Sequence, residues 1–155
     1  MARNGSANTW ELSPSDEEEM VDLTTELGVR AAKRLQGEYV VWLTTVSRDG
    51  TPQPNPVWFY WDGKELLIYS QTSAHKLRNI ARNPKVALNF QADDEGGNII
   101  VLTGNATVDK NPPRHDPRYL QKYRELIPQI GLTPESMAAS YSVLIRVSPT
   151  GLRGF

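Results

Sequence analysis

Three prolines spaced two apart, Pro52, Pro54 and Pro56, constrain this chain more than any other feature. Each fixes φ and lacks an N–H, so the segment cannot be helical. In a central strand it would lose every second donor. The segment therefore reads as a sheet edge, protected from pairing with other chains. Around it, β-branched and aromatic runs alternate with turn signals. Tyr39–Val46 precedes the hairpin signal Asp49-Gly50, and Pro56–Trp61 ends at a second one, Asp62-Gly63. Leu66–Tyr69, Lys85–Phe90, Asn98–Val108 and Tyr141–Ser148 complete six strands. Strands joined mainly by short turns, with helices as additions, predict a mainly β (α+β) antiparallel barrel or sandwich.

Residues 1–12 read as a flexible tail and 13–155 as a single domain opened by a helix. Ser13 and Ser15 are both candidate N-caps, and Ser15 with Glu18 makes a capping box for a helix running to about Gln36. Val21, Leu23, Leu27, Ala31 and Leu35 would line its buried side, with Gly28 a break. Short helices are expected at Tyr119–Ile127 and Pro134–Ser140. Tyr119 and Tyr123, four residues apart, read as packing residues. The Pro-rich stretch 109–118 should loop outward and leave His115 exposed.

The chain has no cysteine, which removes disulfides, thiolate metal sites and a Cys nucleophile. It has no apolar run long enough to cross a bilayer as a helix and no signal-peptide core, so the expected location is cytoplasmic. The net charge of −1 hides an asymmetry. Residues 1–27 hold seven acids and one base, leaving 16 bases against 11 acids in the remainder. That balance suits a small anionic ligand better than a nucleic acid, which calls for a denser basic stripe.

Ser70–Pro84 shows where such an anion would go. A hydroxyl-rich turn opens a short helix that carries His75, Lys76 and Arg78 near its start. Cations there oppose the helix dipole unless an anion shares the site, and free N–H groups with hydroxyls and an ammonium suit a phosphate. His75 has no Ser, Cys or carboxylate partner at a spacing that specifies a triad or a metal site. No catalytic side chain and no metal ligand is assigned.

Several segments occur together in order: Trp42-Leu43-Thr44-Thr45, Pro54-Asn55-Pro56-Val57-Trp58-Phe59, Ser73-Ala74-His75-Lys76-Leu77-Arg78-Asn79-Ile80, Asn83-Pro84-Lys85-Val86 and Gly104-Asn105-Ala106. Over roughly residues 28–155 the chain resembles the split β-barrel flavin/deazaflavin oxidoreductase family, the fold of pyridoxamine 5′-phosphate oxidase. Its Pro-Val-Trp-Phe segment resembles the branch that uses the deazaflavin coenzyme F420 more than the FMN branch.

The resemblance implies a six-stranded antiparallel split β-barrel with peripheral helices. It implies a cytoplasmic homodimer with a cofactor groove between barrels, and no nucleic acid or membrane span. It places Lys76 on the cofactor phosphate, with Ser70, Gln71 and Thr72 as donors and His75 and Asn79 flanking the pocket. Asn55, Val57 and Trp58 would face the ring, Arg78 and Arg82 could meet an oligoglutamate tail, and Phe155 would approach the ring. Trp42 would be core or ring-facing, and Trp61 would pack at the dimer interface.

The implied activity is hydride transfer between C5 of reduced F420 and an organic small-molecule acceptor, the cofactor carrying the difficult chemistry. Two alternatives remain at this stage. One is an FMN-dependent oxidase of the pyridoxamine phosphate type, against which Leu66–Tyr69 offers none of the strand bases usual in FMN relatives. The other is a non-catalytic binder of deazaflavin or haem.

Overall fold

The computed structural model describes residues 20–112 and 114–155. Among them the order is α1 (Glu26–Gly37), β1 (Val40–Val46), β2 (Pro52–Trp58), β3 (Tyr60–Trp61), β4 (Leu66–Ser70), α2 (His75–Arg82), β5 (Lys85–Asn89) and β6 (Ile100–Asp109). It continues with α3 (Pro117–Lys122), α4 (Leu126–Gln129), α5 (Pro134–Ser140) and β7 (Val143–Gly154). All strand pairs are antiparallel, in one seven-stranded sheet ordered β2-β1-β5-β6-β7-β4-β3. The two outermost strands, β2 and β3, are consecutive in the chain with only Phe59 between them. A sheet whose opposite edges are one residue apart has to roll up, and the result is a partly closed barrel.

Six strands were expected and seven form, because Phe59 interrupts the run read as Pro56–Trp61. The prolines belong to β2 after all, and that strand is an edge. Its ladder with β1 runs without a shift from Val46↔Pro52 to Val40↔Trp58. A strand donates to a given neighbour from every second residue, so prolines at period two can leave one ladder whole and silence the other side. β7 extends six residues past its expected end, through Pro149 and Gly151. A register shift between Thr103 and Gly104 of β6 accommodates it, and a side chain at Gly104 would meet the Ser148 carbonyl oxygen.

Among the described residues the helix expected to run to about Gln36 spans Glu26–Gly37, and residues 20–25 are not helical. Thr25 caps it, its hydroxyl accepting the Gly28 N–H at 2.9 Å. The Asp22 carboxylate accepts the Thr24 N–H at 2.8 Å, a local turn that competes with helix through 22–24. The expected tail 1–12, the caps at Ser13 and Ser15, the acidic run 16–19 and Trp10 lie outside the described residues. Ala31 and Leu35 of α1 are buried on the barrel end, and Leu23 and Leu27 pack beside them. Arg34 donates to the carbonyls of Gln91 and Asn98, tying α1 to the loop before β6.

Two apolar clusters share β4. Leu66 and Ile68 enter the barrel core with Val41, Leu43, Phe59, Leu88, Ile100 and Ile145, whereas Leu67 and Tyr69 join Tyr119, Tyr123, Ile127 and Met137 under α3–α5. This two-sided burial explains a strand without alternation. Trp61 lies in the barrel core and not at an outer interface, and Trp42 is partly exposed on the outside of β1. The stretch expected as one helix, Tyr119–Ile127, is two, and α5 matches its expected bounds.

Gly28 is no break; it admits the crossing chain. A Cβ there would stand 2.4 Å from the Asp22 carbonyl oxygen and 2.6 Å from Leu23 Cα. Alanine ordinarily stabilises a helix interior over glycine by about 1 kcal/mol. Here the clash reverses the sign, and Gly28→Ala is expected to cost about 1–3 kcal/mol in a urea unfolding curve. A gain in stability would show that residues 22–23 are not held against α1.

Candidate functional site

A cavity of about 370 Å³ opens where the ends of β2 and β4, the start of α2 and helices α3 and α5 converge. This lies within the range of small-molecule sites, roughly 300–1,000 Å³. β2 supplies Pro56, Val57 and Trp58, and the chain leaving β4 supplies Tyr69, Ser70 and Gln71. Lys76 enters from α2, Tyr119 from α3, and Met137 and Tyr141 from the last helix and the residue after it. One side is aromatic and apolar, and the other carries hydroxyl, amide and ammonium groups.

Helix α2 starts at Ala74, which has no side-chain cap, so the first-turn N–H groups are not taken up by a capping side chain. Lys76 sits in that first turn, half-buried, and burial pushes its pKa below the ordinary lysine value. Three ion pairs form among the described residues, and Lys76 belongs to none of them. A partly desolvated ammonium without a counter-charge, beside an uncapped helix start, fits an incoming anion. The aromatic wall fits a flat ring. The residues present are therefore compatible with a phosphorylated ring cofactor.

The nine residues picked from the sequence do not all meet here. Ser70, Gln71, Lys76, Val57 and Trp58 line this cavity. The Ser70 hydroxyl, almost wholly buried, donates to the Gln71 carbonyl at 3.0 Å. Thr72 opens instead onto a groove between α2 and β6 with Arg78 and Lys110. His75 and Asn79 line a third, more basic concavity with Arg48, Gln53 and Arg82. Asn79 is 3% exposed, and its amide donates to Thr45 Oγ1 (3.0 Å) and Gln53 Oε1 (2.8 Å) while accepting from Arg82 (3.3 Å). Its polar atoms are spent on joining α2 to β1 and β2. Asn55 is exposed on β2, opposite Leu43. Phe155 is 75% exposed beside α1 and Ile99, away from the cavity of its own chain.

Sequence reading missed the wall contributed from 115–141. Tyr119 is almost fully buried, and burial drives its phenol far above the usual tyrosine range, so it stays protonated. Trp58, Tyr123, Tyr119, Tyr69 and His115 form a continuous aromatic series, with successive ring centroids 4.4, 5.0, 4.8 and 3.9 Å apart. The spacing of Tyr119 and Tyr123 was visible, but not which surface their helix would meet.

The loop 109–118 does not carry His115 outward. Its ring is 3% exposed, Nε2 lies 2.7 Å from the Tyr141 carbonyl oxygen, and Nδ1 is buried with no partner. The Asp116 N–H donates to the Tyr69 hydroxyl at 2.8 Å, which pulls the loop against the sheet.

Comparison with known proteins places these features. The family model described as pyridoxamine 5′-phosphate oxidase matches residues 29–154. Among solved structures, the chain is 24% identical to a Listeria innocua protein named for pyridoxamine 5′-phosphate oxidase, covering 83% of this chain and 97% of that one at a TM-score of 0.60. It is 28% identical to an F420 reductase, covering 78% and 94% at a TM-score of 0.58. It is 17% identical to HutZ, the haem storage protein of Vibrio cholerae, covering 84% and 95% at 0.59, a likeness of fold alone.

Burial pulls the His115 pKa below its ordinary 6.5, against a smaller opposing effect of the Tyr141 carbonyl. The unfolded chain then takes up a proton that the fold resists. Stability is full above the ordinary value and declines as pH falls below it. His115→Gln is expected to keep the bond to Tyr141 and flatten stability between about pH 7 and pH 5.5. Parallel curves for the two proteins would show that His115 is not what titrates.

Proposed function

Since this chain belongs to the pyridoxamine 5′-phosphate oxidase family, we propose that the cavity between β2, β4 and α2 binds the deazaflavin coenzyme F420 and that the protein is an F420-dependent oxidoreductase. The single observation that carries this reading is Lys76, half-buried, outside every described ion pair and set in the uncapped first turn of α2 beside an aromatic wall. Lys76 would hold the cofactor phosphate, with Ser70, Gln71 and Thr72 nearby. Val57 and Trp58 would lie against the ring, with Asn55 further along the same edge. His75 and Asn79, in the neighbouring concavity, would border the phosphate end.

Bound F420 would supply the hydride chemistry at C5 of its ring. The work of the protein is to bind, orient and keep water away, and the apolar side of the cavity suits that task. The acceptor is an organic small molecule. The likeness to an F420 reductase at 28% identity supports this cofactor over FMN. So does β4, whose five residues are all buried and include no base. Both histidines stand outside the cavity lining, which weighs against haem ligated there by histidine. Val40 and Trp42, partly exposed on the outer face of β1 beside Pro56, offer a surface for a homodimer.

Titration with F420 and with FMN, followed by tryptophan fluorescence, tests the reading directly. Lys76→Ala is expected to weaken F420 binding by about 1.5–3 kcal/mol, the range of a charge-assisted hydrogen bond. Unchanged affinity would put the phosphate elsewhere, and preferential binding of FMN would replace the deazaflavin reading with the flavin one.

A further inference from the structure

The chain passes from one edge of the sheet to the other through the single residue Phe59, and two side chains of the α3 region close on that peptide. The Tyr123 hydroxyl accepts the Phe59 N–H at 2.8 Å. It lies 2.7 Å from the Tyr39 carbonyl oxygen and 2.9 Å from that of Phe59, with its one proton to share. Lys122 Nζ donates to the Phe59 carbonyl at 2.8 Å and stands 3.7 Å from the centre of the Phe59 ring. Tyr39 directly precedes Val40, and Phe59 directly follows Trp58. Val40 and Trp58 are a cross-strand pair, and both line the candidate cavity. The Tyr123 ring also stacks on the Trp58 indole at 4.4 Å, with planes 2° apart.

The hydroxyl thus bonds the peptide next to each member of the pair that forms the cavity wall. We infer that Tyr123, with Lys122, is a positioning residue for the candidate site: it fixes the spacing of the Val40–Trp58 wall and the tilt of the indole, and so sets how tightly a planar ring is held. This rests on the reading that the ring of F420 lies against that wall. A packing role alone would need only the Tyr123 ring. The three polar contacts of its oxygen with Tyr39 and Phe59, the residues flanking β1 and β2, are what a spacer adds.

The test is Tyr123→Phe, which keeps the stack and removes the oxygen. The Phe59 amide, followed by NMR hydrogen exchange, should lose protection, and F420 should bind about tenfold more weakly, as the loss of one or two buried hydrogen bonds implies. Ile127→Val, in the same buried cluster but without polar contact to the wall, should lower thermal stability and leave F420 affinity unchanged. Lys122→Met removes the bond to the Phe59 carbonyl and the ammonium over the neighbouring rings, leaves the Tyr123 hydroxyl in place, and stands in if Tyr123→Phe does not fold, with a loss of about threefold expected. Native affinity in the polar-deletion variant, or an equal loss in Ile127→Val, overturns the inference. If wild-type protein binds no F420, the proposed function falls. The positioning role is then judged on Phe59 exchange and Trp58 emission, and native values of both overturn it.

Discussion

The hydrogen bonding of one peptide, Phe59, underlies the rest of this structure. β2 and β3 are opposite edges of a seven-stranded sheet, yet they follow one another in the chain, so the peptide between them can belong to neither ladder. A buried peptide without partners costs free energy comparable to a lost hydrogen bond. The sheet cannot supply these partners, and α3 does, through Lys122 and Tyr123. Docking α3 there brings Tyr119, one turn earlier, to the cavity and Tyr123 onto Trp58. Closure of the barrel and construction of the aromatic wall are thus one event.

The electrostatic half of the site follows from a second shortage. Helix α2 begins without a capping side chain and carries a lysine in its first turn, where the dipole disfavours a cation. Burial depresses the Lys76 pKa, and no described carboxylate pairs with it. By contrast, Arg34 and Arg118 each have carboxylate partners and serve the fold. Lys122, also half-buried, donates to the Phe59 carbonyl, so the combination of burial, a helix start and no carboxylate partner among the described residues distinguishes Lys76.

Much of the fold was legible in local signals. Asp49-Gly50 and Asp62-Gly63 marked turns, and Gly50 and Gly63 adopt positive φ there. The alternation along β1, with Val41, Leu43 and Thr45 buried, matches a strand with one covered face. The readings that failed concern reach and burial. Pro149 and Gly151 read as the end of a strand because their β6 partners, Gly104 and Thr103, which pair with them across a bulge at Thr150, lie far away in sequence. His115 read as exposed because its neighbours are prolines, whereas the Tyr69 hydroxyl and the Tyr141 carbonyl draw its loop inward. Residues 20–25 read as part of a continuous helix, but a local Asx turn at Asp22 interrupts the helical pattern there.

By itself the sequence determined that the chain is mainly β, that the proline segment lies at an edge, and that the Ser70–Pro84 turn joins a lysine to a helix start. These depend on residues near one another along the chain, where φ restriction, missing donors and dipole direction act locally. Only the tertiary structure decided which of the nine candidate residues share a cavity. It sent His75, Asn79 and Thr72 to other concavities and brought Tyr119, Met137 and Tyr141 in. The physical reason is that rolling the sheet and docking α3–α5 on β4 depend on contacts between residues far apart in sequence, 64 residues from Phe59 to Tyr123 and 47 from Tyr69 to Asp116, and no local propensity encodes which of them meet.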